Sequence, residues 1–139
     1  MIKKLLYIFI LFFLSTYLFA KSEYIEEGIN LYNKNQFEDA KFKFEQDIVF
    51  NPKSELSYLY LSKIFNKQEK IFLEEKNLNT VMLLNPTNEE AIYNLARLKL
   101  TSSDYKKSKE LNKRLKSICS KFCSESDKLK IEIENLSKN

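Results

Sequence analysis

The sequence contains no histidine and no tryptophan, and its 139 residues include only one glycine, two prolines and two cysteines. Without histidine, Ser-His-Asp and Cys-His catalysis and the usual zinc and iron ligand sets are excluded. A phosphate-binding loop cannot be built from Gly28 alone. Acidic pairs such as Glu74-Glu75 remain, but adjacent residues on a helix point in different directions and are usually solvated. We therefore predict a protein that is not an enzyme and has no metal and no cofactor.

The scarcity of glycine and proline also leaves almost no turn residues for a sheet protein. Runs rich in Val and Thr in which apolar and polar residues alternate, as is typical of strands, are missing as well. The composition is 44% hydrophobic and 30% charged, which is that of a globular chain. Together these features predict an all-α fold.

The first twenty residues differ from the rest of the chain. Lys3-Lys4 is followed by the unbroken apolar run Leu5–Leu14, and Ser15–Ala20 is a plausible cleavage region. This is the layout of a secretory signal peptide, so we expect a secreted or periplasmic protein. The alternative is an uncleaved anchor, facing the periplasm from the inner membrane, because Leu5–Ala20 falls just short of the ~20 residues that span a bilayer.

The chain that follows, residues 21–139, is nearly neutral. It holds 21 basic and 19 acidic residues, a net charge of +2, because the signal removes only Lys3 and Lys4. So small a charge predicts no binding to nucleic acid, and it predicts membrane contact only if the N-terminal helix stays uncleaved. A segment of this length normally forms one domain.

A period of 34 residues runs through this segment. Asn51-Pro52 and Asn85-Pro86 are separated by it, and so are the small residues Gly28, Ser62 and Ala96. A fixed period of this length indicates stacked helical hairpins, which generally present a binding surface. A small residue at the centre of the first helix lets the second helix approach closely.

The spacings resemble those of the tetratricopeptide repeat, in which each unit is a pair of antiparallel helices. The residues at the family's intervals are Tyr24, Gly28, Leu31, Ala40, Phe44 and Pro52, then Tyr58, Leu61, Ser62, Phe65, Leu78 and Pro86, then Ile92, Leu95, Ala96 and Tyr105. The resemblance implies an α-solenoid of three helix pairs, at about 21–54, 55–88 and 89–122. It also implies that Gly28, Ala40, Phe44, Pro52, Ser62, Leu78, Pro86 and Ala96 are packing residues of the repeat.

Glu74 departs from this pattern, because it stands where a small residue is expected. A buried, unpaired carboxylate costs several kcal/mol, so we expect the helix to rotate or the side chain to reach solvent. Thr87-x-x-Glu90 has the form of a capping box for the first helix of the third pair.

A capping helix is predicted at about 124–138. Ser124-x-x-Asp127 resembles a helix start, and Leu129, Ile133 and Leu136 then form an apolar stripe. The last hairpin of a stack needs such a cover. The first helix has none, and we expect Ile25 and Ile29 to be partly exposed.

Cys119 and Cys123 lie at the junction of the last repeat helix and the capping helix. In an oxidising compartment an even pair this close favours a bridge, provided that the helix breaks between the two residues. Such a bridge would pin the capping helix to the repeats. Free thiols are one alternative, and a redox or metal role is another, although active disulfides favour two intervening residues.

The resemblance also implies where a partner binds, since the first helices of each pair line a concave groove. The groove residues are Ile29, Tyr32, Lys63, Asn66, Lys67, Tyr93, Arg97 and Leu100. Tyr and Arg are frequent binding anchors, and the cations suit acidic groups. The alternative interpretation is that several of these side chains only pack one helix against the next.

Tetratricopeptide proteins that hold chaperone tails grip a terminal carboxylate with Lys and Asn. The matching places here are Ile25, Ile29, Tyr60, Glu90 and Asn94, and none keeps the required residue type and position. The sequence therefore predicts a non-catalytic scaffold or adaptor of the bacterial cell envelope that binds a protein or peptide through its groove. The alternative is an inner-membrane-tethered assembly subunit held by an uncleaved N-terminal helix.

Overall fold

The computed structural model describes residues 23–137, which contain seven helices and no strand. The bounds are 23–33 (α1), Phe37–Phe50 (α2), Glu55–Lys67 (α3), Ile71–Leu84 (α4), Glu89–Thr101 (α5), Tyr105–Ile118 (α6) and Cys123–Leu136 (α7). The predicted signal peptide, or uncleaved anchor, at 1–20 lies outside the described residues. Within 23–137 no helix combines the length and apolar character that a membrane span requires.

The chain divides into two compact units, and the boundary falls inside α3, after Tyr60. In the first unit, Gly28 lets α1 approach α2 closely. A Cβ on Gly28 would lie 2.8 Å from Cε1 of Phe44, a side chain that is itself fully buried. Phe44 stacks on Tyr60 with ring centroids 5.0 Å apart. The close approach of the two helices that a small residue predicts at this position is therefore present, and the group that packs against Gly28 is the ring of Phe44.

A buried polar chain also ties the first unit together. Asp47, on the packing face of α2, is fully buried, and its Oδ2 accepts a hydrogen bond of 2.5 Å from Oγ of Ser57. Oγ of Ser54 donates in turn to Oγ of Ser57 at 3.1 Å. This partnership satisfies Oδ2 of Asp47 within the apolar stripe of α2, whereas Oδ1 is buried without a hydrogen-bond partner among the described residues.

The second unit, from Leu61 onward, has a continuous core supplied by α3 to α7. Its fully buried side chains include Ile64, Leu78, Val81, Ile92, Leu115 and Leu129. Ser62 and Ala96, the small residues of the repeat, are buried as well. The carbonyl of Ala96 accepts a 2.8 Å hydrogen bond from Oγ of Ser108 on α6, so the two helices meet at this position.

Glu74 corrects an expectation drawn from the sequence. The side chain is only 5% exposed and stays inside the second unit instead of reaching solvent. Nδ2 of Asn66 donates to both of its carboxylate oxygens, at 3.1 and 3.2 Å. Burial raises the pKa of Glu74, and the hydrogen bonds from Asn66 oppose that shift. A partner eight residues earlier on α3 thus makes the buried carboxyl tolerable, which a search for ion pairs in the sequence does not reveal.

The predicted helix starts of α5 and α7 are also wrong. Asn88, not Thr87, caps α5, and its Oδ1 accepts a 2.7 Å hydrogen bond from the amide of Ala91. The amide and hydroxyl of Thr87 instead donate to Oδ1 of Asn85, which closes a turn after the preceding helix. Ser124 lies inside α7, whose N-cap position is taken by Phe122 without a side-chain cap.

The cysteines lie on either side of the break between α6 and α7. Cys119 follows the last residue of α6, and Cys123 is the first residue of α7. Their sulfurs are bonded in a disulfide with a separation of 2.03 Å, and neither thiol is free in the structure. The helix break that a bridge requires at this spacing is present.

Candidate functional site

In the second unit, the predicted groove residues of α3 and α5 form one surface, which we call the α5 surface. It consists of Lys63, Glu90, Tyr93 and Arg97, together with Phe122. The exposed Ile131 of α7 occupies the repeat position equivalent to Arg97. Lys63 joins the two helices, because its Nζ lies 2.6 Å from Oε1 of Glu90. Both side chains are part-buried. Lys63 is therefore already engaged by a carboxylate, and it contributes less to an incoming acidic group than the sequence suggests.

Arg97 is the exposed cation of this surface. Its Cζ lies 6.0 Å from the ring centroid of Tyr93, the arrangement of a cation–π contact. Tyr93 in turn contacts Phe122, with ring centroids 5.5 Å apart. A guanidinium is planar, and contact with an aromatic ring restricts its orientation, so that its N–H donors are presented together to a carboxylate acceptor.

Three other predicted groove residues of the second unit contribute less. Asn66 is occupied by its hydrogen bonds to Glu74. Leu100 is buried in the core, so it offers a partner almost no surface. Lys67 is exposed at the last position of α3.

The remaining two groove residues belong to the first unit. Ile29 is half-buried on α1, and so is Ile25. Tyr32 packs edge-on against Phe37 and Tyr60, with centroid distances of 5.5 and 5.2 Å. For Tyr32 the packing role that the sequence left open is therefore the one that the contacts support.

A carboxylate at the start of α5 holds the loop that carries Phe122. Oε1 of Glu89 accepts hydrogen bonds from the amide and the hydroxyl of Ser120, at 2.8 and 2.7 Å. Oε2 accepts from the amides of Lys121 and Phe122, at 2.8 and 2.9 Å. These four donors lower the pKa of Glu89 to about 2, the hydroxyl of Ser120 first among them. Glu89 thereby positions the ring of Phe122 against Tyr93.

Reasoning from the sequence missed Glu90 and Phe122 as members of the α5 surface, and it missed Ile131 as the equivalent repeat position on α7. Ile131 is exposed on α7 and follows Arg97 by 34 residues, as Arg97 follows Lys63. Carrying the same period one step further into the capping helix would have found it. Glu90 and Phe122 had no such signal, because their roles depend on contacts between distant segments.

The groups on this surface are suited to noncovalent binding. Among residues 23–137 there is no group of three or more Cys, Asp or Glu side chains placed to hold a metal ion. The surface combines one exposed guanidinium, an aromatic pair and an ion pair. Such a mixture resembles the anchors of protein interfaces.

Comparison with known proteins places the fold. No family model and no curated protein sequence matches the chain. Among solved structures it is similar to the TPR2B domain of yeast Sti1 in complex with pHsp70, with a TM-score of 0.79 and 15% identity over 85% of this chain and 98% of that one.

Two further solved structures are similar to this chain, and each covers 85% of it. The first TPR of Spaghetti (RPAP3), bound to the HSP90 peptide SRMEEVD, has a TM-score of 0.75 at 12% identity over 94% of its length. The Yersinia enterocolitica type III secretion chaperone SycD, in complex with a peptide of the translocator YopD, has a TM-score of 0.75 at 14% identity over 94% of its length. The all-α, tetratricopeptide-like fold inferred from the sequence is confirmed.

Proposed function

We propose that this protein is a non-catalytic interaction scaffold that binds a protein or peptide segment on the α5 surface. Its fold is that of the three structures above, each of which is a complex with a peptide or a partner. The observation that carries the proposal is the exposed Arg97, held over Tyr93 and placed at the same repeat position as the exposed Ile131. A guanidinium held on an aromatic ring suits a segment that carries acidic and apolar side chains.

The ligand differs from a chaperone tail in the group it presents. At one place where the tail-binding clamp requires Lys or Asn, this chain has Glu90, and that carboxylate pairs with Lys63 at 2.6 Å. A terminal carboxylate approaching this position would meet a negative charge, which disfavours it. An internal acidic segment that reaches Arg97 avoids this repulsion. The proposed ligand is therefore an internal stretch of a partner protein.

The partner is proposed to be a protein of the bacterial cell envelope, because the first twenty residues have the layout of an export signal. The alternative is a subunit tethered to the inner membrane by the same segment. Mass spectrometry of the mature N-terminus separates the two. A mature chain that begins at Lys21 would rule out the membrane tether. A mature chain that still begins at Met1 would rule out cleavage of a signal peptide.

Capture from envelope extracts tests the α5 surface. We expect Arg97→Glu to weaken binding of the captured partner at least about tenfold, the effect of losing one well-placed anchor. The matched control is Lys106→Glu, an exposed position on α6 that makes the same change of charge. Tyr32 is left intact, since its contacts with Phe37 and Tyr60 make it a packing residue.

Two readouts decide the outcome. Circular dichroism checks that both variants keep their helicity, and calorimetry measures the affinity for the partner. Equal binding by wild type and Arg97→Glu would show that the partner uses another surface. Equal losses in both variants would mean that only net charge matters.

A further inference from the structure

The second unit carries an open groove between α6 and α7, on surfaces that the proposed peptide site does not use. The cavity measures about 300 Å³. We call it the α6–α7 groove, and its lining includes Lys109, Lys113 and Lys116 on α6 and Asp127, Lys130 and Ile133 on α7. Its floor is closed by Asn112, whose Nδ2 donates to the carbonyl of Ser126 at 2.9 Å.

The repeat period explains why this groove is open. Gly28, Ser62 and Ala96 are buried at the positions where α1, α3 and α5 carry their small residue. The next step of 34 residues leads to Lys130, which is exposed and lines the groove. Helix α7 thus turns toward this groove the face with which a first helix of the repeat receives its second helix.

The charge of the α6–α7 groove indicates which kind of helix could bind in it. Lys116 pairs with Asp127 at 2.7 Å, and Lys130 lies 4.0 Å from Glu134. Lys109 and Lys113 form no ion pair within residues 23–137, so the rim carries two uncompensated positive charges. The floor below them is apolar where Ile133 and the lysine stems lie. A helix that fits must combine apolar side chains with acidic ones.

Two exposed apolar stripes occur on other described helices. On α2, Phe42 and Val49 are 57% and 75% exposed, and Glu45 shares their face at helical spacing. Glu38 lies on the same face, where it pairs with Lys41 at 3.0 Å. On α4, Phe72 and Leu83 are 78% and 82% exposed, but Lys76 lies on the face between them. Only the α2 stripe has the charge that the groove requires.

We propose that two copies of this chain associate, with the α2 stripe of one copy lying in the α6–α7 groove of the other. Phe42 and Val49 are seven residues apart, about 10.5 Å along a helix. Lys109 and Lys116 on the groove wall are separated by the same number of residues. The two apolar side chains enter the cavity while Glu45, between them, meets the lysines of the rim. This is a helix-in-groove contact, with charge complementarity setting its register.

The association is tested by sedimentation equilibrium of the purified protein at about 50 mM and about 500 mM salt, since exposed ion pairs weaken with screening. We expect a concentration-dependent dimer at low salt that weakens at high salt. Phe42→Ser should raise its dissociation constant at least about tenfold, as loss of a central apolar anchor does. The control Phe72→Ser, a still more exposed phenylalanine on α4, should leave it within about twofold.

A charge exchange tests the register directly. The double variant Glu38→Lys with Glu45→Lys reverses the charge of the α2 stripe. The double variant Lys109→Glu with Lys113→Glu reverses the charge on the rim of the α6–α7 groove. Each double variant alone should be monomeric, and an equimolar mixture of the two should associate again because each contact then joins opposite charges. A wild type that stays monomeric up to about 1 mM overturns the proposal, and so does a mixture that fails to associate. Arg97→Glu should leave self-association unchanged, which separates this result from the peptide-binding test.

Discussion

The first unit and the segment from α5 to α7 are tied together by different kinds of contact. In the first unit the ties are rings: Phe44 lies against Gly28 and stacks on Tyr60, and Tyr24 stacks on Phe50 with centroids 5.7 Å apart. Around α5 to α7 they are a disulfide and a carboxylate. The disulfide joins Cys119 to Cys123, and Glu89 accepts four hydrogen bonds from the loop between them.

The difference has a physical consequence for stability. Packed rings depend on volume, so they respond to added bulk and are indifferent to pH and redox potential. A carboxylate and a disulfide respond to protons and to reductant, and they tolerate changes of volume nearby. Perturbations of the two regions should therefore be separable by their chemistry.

The largest expected effect is in the first unit. Gly28→Leu should destabilise the protein by about 1–3 kcal/mol through overpacking, because even a Cβ would lie 2.8 Å from the buried ring of Phe44. Urea unfolding followed by circular dichroism measures the loss. Asn30→Leu, at an exposed position on the same helix, is the control and should change little.

Truncating the opposing ring sharpens this test. Phe44→Leu in the Gly28→Leu background should recover part of the loss, since the two side chains compete for one volume. A melting temperature that Gly28→Leu leaves unchanged would show that the repeat register of α1 is wrong.

The next effect belongs to the disulfide. Reduction of Cys119–Cys123 should lower the free energy of unfolding by roughly 2 kcal/mol, the loop-closure contribution of so short a bridge. Thiol labelling of the denatured, unreduced protein should give no product. Cys119→Ser with Cys123→Ser should match the reduced wild type. Quantitative labelling before reduction would mean that the protein carries free thiols.

The contrast between the regions also explains what the sequence could predict. Gly28, Ser62 and Ala96 report packing at a fixed interval, so periodicity alone gave the helix pairs. Periodicity could not predict the roles of Glu74 and Glu89, because both depend on partners that folding brings close. Glu74 accepts hydrogen bonds from Asn66, and Glu89 accepts them from a loop that begins 31 residues away. For the same reason the period placed Lys63 and Arg97 at one repeat position but did not reveal that Glu90 pairs with Lys63.

The smallest expected effect is the pH dependence that Glu89 contributes. Its pKa is lowered to about 2 in the folded protein, from an ordinary value of 4.5. The stabilisation is therefore fully present above pH 4.5 and is lost as the pH falls through the folded value near 2. Glu74 has a raised pKa and acts in the opposite direction, gaining stability as the pH falls from neutral toward 4.5.

Glu89→Gln isolates the first of these contributions. The difference in unfolding free energy between wild type and Glu89→Gln should be largest at neutral pH and should shrink between pH 4.5 and pH 2. Glu132→Gln, exposed on α7, is the control and should show no such trend. In the double Cys→Ser background the effect of Glu89→Gln should be smaller, because both ties hold the same loop and the freed loop donates less well. A difference that stays constant across the acid range would show that Glu89 contributes through packing and not through its charge.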